Sequence, residues 1–423
     1  MKKQALLGGI LVAIASNSQA APSSYGPIGP NIVYGDASNS NTIYSPLANP
    51  AYNALNKSDT EGYRFGLGIN AQTALELKGL EGSSDNYDNN IKPYLNSNNP
   101  ADANTLATNL NSFFDKYNAG KVSNISSVTV PLLIKSGVWS GGISLDYSYT
   151  AASEATFIKK GTITTAATGT DVSINSGAAA LGINYKSLSE FALGYGTNIF
   201  KNNDSALSVG VTARYLSMLS NTKAIDFKTF VDDNLGSKDK NVNDYISDMN
   251  SGSSESAITA DVGINWIHEN YSIGLVGMNL TSPKFKIHNL STAASSTDFA
   301  SFIKSEFKLK PQYRVTGQIN TASRHWTIAG SYDLVKANDL NDHDTQWWSA
   351  SASYATNSAW YIPDVRVGVR GNLVGNKYTY TGVGLTFGFL NLDVATTTMD
   401  ISGVSDKQKD AGAMASVGVE FDF

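Results

Sequence analysis

The chain has 423 residues, no cysteine, four histidines and a formal net charge of −5, with 41% hydrophobic and 16% charged residues. Missing thiols exclude disulfides and thiolate metal sites, and the acidic balance argues against a nucleic-acid partner. A mean hydropathy of −0.18 looks soluble, yet it also suits a barrel, in which only alternate residues of about ten per strand must be apolar.

Lys2 and Lys3, the apolar stretch Ala5 to Ala15 and Ser18-Gln-Ala20 read as a secretory signal over 1–20, with the mature chain starting at Ala21. No later window is apolar for long enough to cross a bilayer as a helix, so an exported chain of this kind is soluble, peripheral or a barrel. Residues 21–61 are rich in Gly, Pro, Asn and Ser and show no strand alternation. They form either a disordered tail or a plug folded into a lumen; Ile28, Ile32, Val33, Tyr34, Ile43, Tyr44, Leu47 and Tyr52 favour the plug, because a solvating tail lacks such residues.

From residue 62 onward the pattern has a period of two. Tyr63, Phe65, Leu67 and Ile69 face one way and Arg64, Gly66, Gly68 and Asn70 the other. Similar segments occur at 122–136, 138–150, 178–200, 205–220, 255–268, 270–281, 306–320, 324–337, 344–356, 360–373, 376–388, 390–399 and 411–423, fourteen with the first. Connectors alternate short and long, with long ones at 78–121, 151–177, 221–254 and 282–305, as tight periplasmic turns and extended outer loops require. The predicted fold is therefore all-β, a transmembrane antiparallel β-barrel over 62–423 with an N-terminal lumenal hatch over 21–61. If Ser187-Leu-Ser189 is a turn and 154–175 supplies a strand, the count becomes sixteen. In the first long loop Leu106, Leu110, Phe113, Phe114 and Tyr117 recur at helical spacing, predicting a short amphipathic helix over Ala101 to Asn118. The last strand ends with Val419, Phe421 and Phe423 on its apolar face, which resembles the insertion signal read by the barrel assembly machinery in the bacterial outer membrane.

Several phrases carry a family resemblance. Tyr34-Gly-Asp-Ala-Ser followed by Asn49-Pro-Ala51 is similar to the hatch region of FadL-like transporters of hydrophobic compounds. Glu190-Phe-Ala-Leu-Gly-Tyr-Gly196, Leu207 to Tyr215, Asp261-Val-Gly-Ile-Asn265, Gly274 to Phe285 and Lys310-Pro-Gln-Tyr-Arg314 together resemble the conjugal transfer TraF-type family of outer-membrane proteins. A thioredoxin-like periplasmic protein shares the TraF name, but a chain without cysteine or strand-helix alternation is not of that kind. The resemblance implies fourteen strands, a hatch in the lumen that includes Asn49, Pro50 and Ala51, and diffusion of apolar ligands.

Within the barrel pattern, Lys308, Lys310, Arg314, Arg366 and Arg370 fall on the lumen face, as do the acidic Asp261, Asp333, Asp393 and Glu420. These groups either pair with one another, since an unpaired buried charge is costly, or an arginine such as Arg314 holds the acidic head of an amphipathic ligand. Trp347 and Trp348 read as interface residues, and His268, His288, His325 and His343 as isolated surface histidines without metal-ligand spacing. The six aspartates Asp226 to Asp248 form either a solvated loop or a divalent-cation site. No nucleophile-elbow or triad pattern occurs, so no enzyme activity, cofactor or metal is predicted. The expected partners are outer-membrane lipid or lipopolysaccharide, the assembly machinery and a hydrophobic small molecule. The expected function is passive uptake, with a component of plasmid conjugal transfer or envelope assembly as the alternative.

Overall fold

In the computed structural model, fourteen antiparallel strands close into one barrel because the first strand pairs with the last and the remaining neighbours pair in succession. Residues 32–33, 42–55, 63–95, 99, 101–168, 171–235, 242–356, 361–397 and 410–423 are described. The predicted signal at 1–20 and most of the hatch, including Tyr34-Gly-Asp-Ala-Ser, lie outside the described residues.

We number the barrel strands β1 (Arg64–Lys78), β2 (Lys121–Lys135), β3 (Gly142–Lys159), β4 (Ala179–Lys201), β5 (Ser205–Asp226), β6 (Glu255–His268), β7 (Tyr271–Met278), β8 (Gln312–Asn320), β9 (Trp326–Asp333), β10 (Trp347–Tyr354), β11 (Asp364–Asn372), β12 (Thr379–Phe387), β13 (Leu390–Thr397) and β14 (Ala411–Asp422). Alternation sets the two faces. In β1 Phe65, Leu67 and Ile69 are exposed on the outside, while Arg64, Gly66 and Asn70 are buried on the inside. Exposed aromatic residues collect near the short-turn end, including the stacked pair Phe389–Phe421 and the cluster Trp266–His268–Tyr271.

The wall is uneven in height. Strands β3, β4 and β5 run 18, 23 and 22 residues, whereas β7, β8 and β9 run 8, 9 and 8. Above the level at which the outer face is exposed, the tall wall is still apolar on its outside, and helices cover it. Leu106, Leu110, Phe113 and Phe114 of the helix Asp102–Tyr117 pack with Phe157, Leu181, Ile183 and Ile225, joined by Phe230 and Tyr245 from helices Phe227–Leu235 and Val242–Met249. The helix predicted from the spacing of those leucines and phenylalanines is thus present, and its apolar stripe faces the barrel.

Three local expectations change. The segment 306–320 is not one strand: Glu306–Lys308 pairs with Lys284–Lys286 in a separate ribbon, and the barrel strand starts at Gln312. The segment 154–175 supplies no extra stave, because Thr165–Thr168 and Asp171–Ile174 pair only with each other. Of the two adjacent tryptophans, Trp347 points inward, where Arg370 lies 4.3 Å over its ring, because alternation turns neighbours to opposite faces.

Candidate functional site: the barrel lumen

Lumenal residues fall into three groups: an inner segment from the N-terminal region, a belt of ion pairs, and a hairpin that enters from the long-loop end. The inner segment holds to the wall chiefly through backbone fit. Gly142, Gly196, Gly210 and Gly263 stand opposite one another in register across β3, β4, β5 and β6, forming a rung without side chains. Onto it the turn Pro50–Ala54 is pressed. A methyl group on Gly196 would stand 2.6 Å from the Pro50 carbonyl oxygen, one on Gly210 2.6 Å from the Ala51 nitrogen, and on Gly142 and Gly263 it would overlap Asn53 and Asn49. Asn49 caps the turn by accepting from the Ala51 amide at 3.0 Å and donates its own side-chain N–H to the Ile264 carbonyl at 3.1 Å. The Lys135 ammonium donates to the Ala54 carbonyl.

Two further stretches reach other staves. Glu420 accepts from Thr42 Oγ1 at 2.7 Å and from the Ile43 amide at 3.0 Å, while Tyr44 donates to the Val419 carbonyl and Ile43 fills the space beside Gly66 and Gly68. Val33 lies against Gly368 and Gly382, and the Ile32 amide donates to Asp393. The described inner residues therefore bear on β11–β13, on β14 and β1, and on β3–β6. They lie inside the barrel toward its short-turn end.

The belt consists of matched charges. Arg314 and Asp333 are register partners on β8 and β9 and bond at 2.7 Å. Arg366 reaches Asp393 at 2.8 Å across the intervening strand, where Gly384 leaves the space for the guanidinium. Arg214 is held by both Glu190 and Asp261, and Arg64 meets Asp422 at 2.8 Å. All but the part-buried Arg64–Asp422 pair are fully buried, so removing one member would strand a charge in a site of low polarity. Of the basic residues expected in the lumen, Arg314, Arg366 and Arg370 are there. Lys308 is exposed on the outer ribbon, where Phe307 and Leu309 are the buried residues, and Lys310 pairs with Asp344 at 2.7 Å at the rim. The Lys310 ammonium, bonded to the exposed Asp344 carboxylate, holds that group below the usual carboxylate range.

The hairpin is the feature sequence reasoning missed. Ala337–Asn338 pairs with Asp344–Thr345, and the turn between them folds into the barrel. It leaves the short wall between β9 and β10 and meets the tall wall near the far side of the ring. Leu340 is fully buried with Ala152, Leu188, Leu216 and Met218, inward residues of β3, β4 and β5. His343 Nε2 lies 2.5 Å from Glu154 and 2.6 Å from Lys121, and its Nδ1 lies 3.3 Å from Asp339. Burial disfavours the imidazolium, but Asp339 and Glu154 outweigh it and push the pKa up to about 10. His343 is thus no surface histidine. Its partner Glu154 is 189 residues away in sequence, and no local pattern joins the two.

Between hairpin and inner segment lies a cavity of about 40 Å³, lined by Ile32, Ala74, Ile125, Trp347 and Met414 with Glu76, Asp339 and Asn341 among its polar groups. By that measure a water needs about 10–15 Å³, so the closed state has room for a few waters or one small chemical group.

The model of the family described as "F plasmid transfer operon, TraF, protein" matches residues 46–333. The chain belongs to this TraF family. The match begins inside the inner segment, includes Pro50–Ala54 and its glycine rung, and ends at Asp333, the partner of Arg314; the Arg366–Asp393 pair lies beyond it. Comparison with curated proteins gives no match. Among solved structures, the TraF-family barrel is similar to "CymD monoaromatic hydrocarbon channel" (11% identity, 95% of this chain and 98% of that one, TM-score 0.45). It is also similar to the Pseudomonas putida toluene transporter TodX (10% identity, 95% and 98%, TM-score 0.42) and the Ralstonia pickettii toluene transporter TbuX (11% identity, 94% and 98%, TM-score 0.42).

Proposed function

We propose that this protein is an outer-membrane channel for passive uptake of hydrophobic or amphipathic small molecules, blocked at rest by its own N-terminal segment. The observation that carries the reading is the apolar-lined chamber held inside a closed barrel between the inner segment and the hairpin. An outward face of exposed Phe, Leu, Ile and Val with aromatic residues at its edge suits a lipid surround. Inside, apolar walls with a few fixed polar groups suit a cargo with one polar end. Lipid or lipopolysaccharide is then the surrounding partner, and the assembly machinery reads Val419, Phe421 and Phe423.

The belt narrows the choice of cargo head group. A carboxylate seeking Arg314 or Arg366 would have to displace Asp333 or Asp393, so neutral amphiphiles fit the lumen better than fatty-acid anions. Entry of N-phenyl-1-naphthylamine, a neutral aromatic amine that fluoresces on leaving water, into cells producing the protein tests this. Faster entry than in cells without it is expected; equal entry across a panel of neutral and anionic amphiphiles would reject the reading. The family match favours a second reading, a component of conjugal transfer. Under that reading a deletion strain loses plasmid transfer while solute entry stays unchanged.

A further inference from the structure

The inward hairpin has no place in a channel blocked solely by an N-terminal plug, because it closes the lumen at the other end. We propose that Ala337–Thr345 is a separate outer gate, latched on the opposite wall by His343 and Leu340, and that cargo enters the chamber when this latch opens. This rests on the uptake reading above.

Three observations carry it. The hairpin starts on the short wall and ends on the tall one, so it bridges the lumen instead of lining it. Its chief far contacts are of two kinds: Leu340 in an apolar socket on β3, β4 and β5, and His343 in a cluster with Glu154, Lys121 and Asp339. Lys186 is also buried on that wall, with its ammonium over the Phe307 ring at 5.1 Å. Finally, the chamber has hairpin residues Asp339, Asn341 and Thr345 on one side and Ile32 of the inner segment on another, so each closure supplies part of its lining. Toward its root the hairpin is tied to the neighbouring ribbon by Asn338, which bonds the backbone of Lys308 and Lys310, and Asp342 pairs with Lys304. Its holds on the opposite wall are Leu340, the His343 cluster and an Asn341 bond to the Asn124 carbonyl. The tip can swing when those are lost, while the barrel's strand pairing stays intact.

The native chain has no cysteine, so an introduced pair is unambiguous. Ser123→Cys on β2 and Asn341→Cys on the hairpin, both lining the chamber, are joined with dibromobimane, which fluoresces strongly once it links two thiols. The expected result is efficient linkage in folded protein and loss of N-phenyl-1-naphthylamine entry after linkage relative to the same double variant left unlinked, while either single variant treated with the reagent shows no such loss relative to its untreated form. Linkage with entry unchanged overturns the gate and leaves the uptake reading standing. Failure to link in a barrel that still shows heat-modifiable gel mobility overturns the bridging geometry. If unmodified protein promotes no entry of the probe, the uptake reading falls and the gate falls with it. His343→Ala is the complementary variant: severalfold faster entry supports the latch, and unchanged or slower entry in a folded barrel counts against it.

Discussion

The two closures of the lumen are built on opposite principles. At the short-turn end, Pro50–Ala54 sits on four glycines, and backbone shape does most of the holding. At the long-loop end the hairpin rests on side chains: Leu340 in its apolar socket, the His343 cluster, Asp342 paired with Lys304 and Asn341 bonded to the Asn124 carbonyl. The contact of Pro50–Ala54 with the glycine rung is steric, although Lys135 and Glu420 also bond the inner segment, whereas the hairpin's hold centres on the charged cluster of His343, Glu154, Lys121 and Asp339. On the two-gate proposal, the hairpin is the end expected to open more easily.

The most severe way to break this contrast is to fill the seat. Gly210→Val places two methyl groups where Pro50 and Ala51 lie, and overpacking of this kind costs about 1–3 kcal/mol or more when backbone must move. Residues 42–55 should become cleavable by proteinase K, with a lower melting temperature, while Gly317→Ala, where the nearest atom is 4.0 Å away, should change neither. A Gly210→Val protein as protected as the native one would mean the glycine rung does not hold the segment.

Next in size is His343→Ala. Removing one member of a buried charged cluster costs about 3 kcal/mol, roughly a hundredfold in the opening equilibrium. Amide exchange across 337–345 should quicken by about that factor and stay constant across 42–55; equal acceleration in both would show that the closures are one unit.

A gradual version uses pH. The folded-state pKa of His343 lies near 10, above the ordinary value of 6.5, so its contribution is complete below about pH 6.5, declines above it and is gone beyond about pH 10. Exchange in 337–345, corrected for its intrinsic pH dependence, should rise over that window and be flat in His343→Ala. The smallest effect is expected for Asn49→Ala, which loses the cap on Ala51 and the bond to Ile264. A loss of about 1–2 kcal/mol should lower the melting temperature by a few degrees without exposing the segment.

What could be read beforehand follows the range of the interactions. Barrel, strand number, face assignment and the helix over 102–117 are written in local periodicity, so alternation in β1 and β14 and the spacing of Leu106, Leu110 and Phe113 were enough. Ion pairs were foreseeable as a class, because charges on a lumen face need partners, but Arg366 with Asp393 needed the sheet order and Gly384 between them. The glycine rung was visible only as scattered glycines until register aligned Gly142, Gly196, Gly210 and Gly263. The hairpin was hidden altogether: Asp339-Leu-Asn-Asp-His-Asp344 reads as a polar rim loop, and its inward contacts are with residues as distant in sequence as Glu154 and Asn124.

Single-channel conductance of four proteins, native, Gly210→Val, deletion of 339–343 and the two combined, tests most directly whether two independent closures stand in series. The account predicts sustained ion current only when both are removed. Full current from either change alone would contradict it.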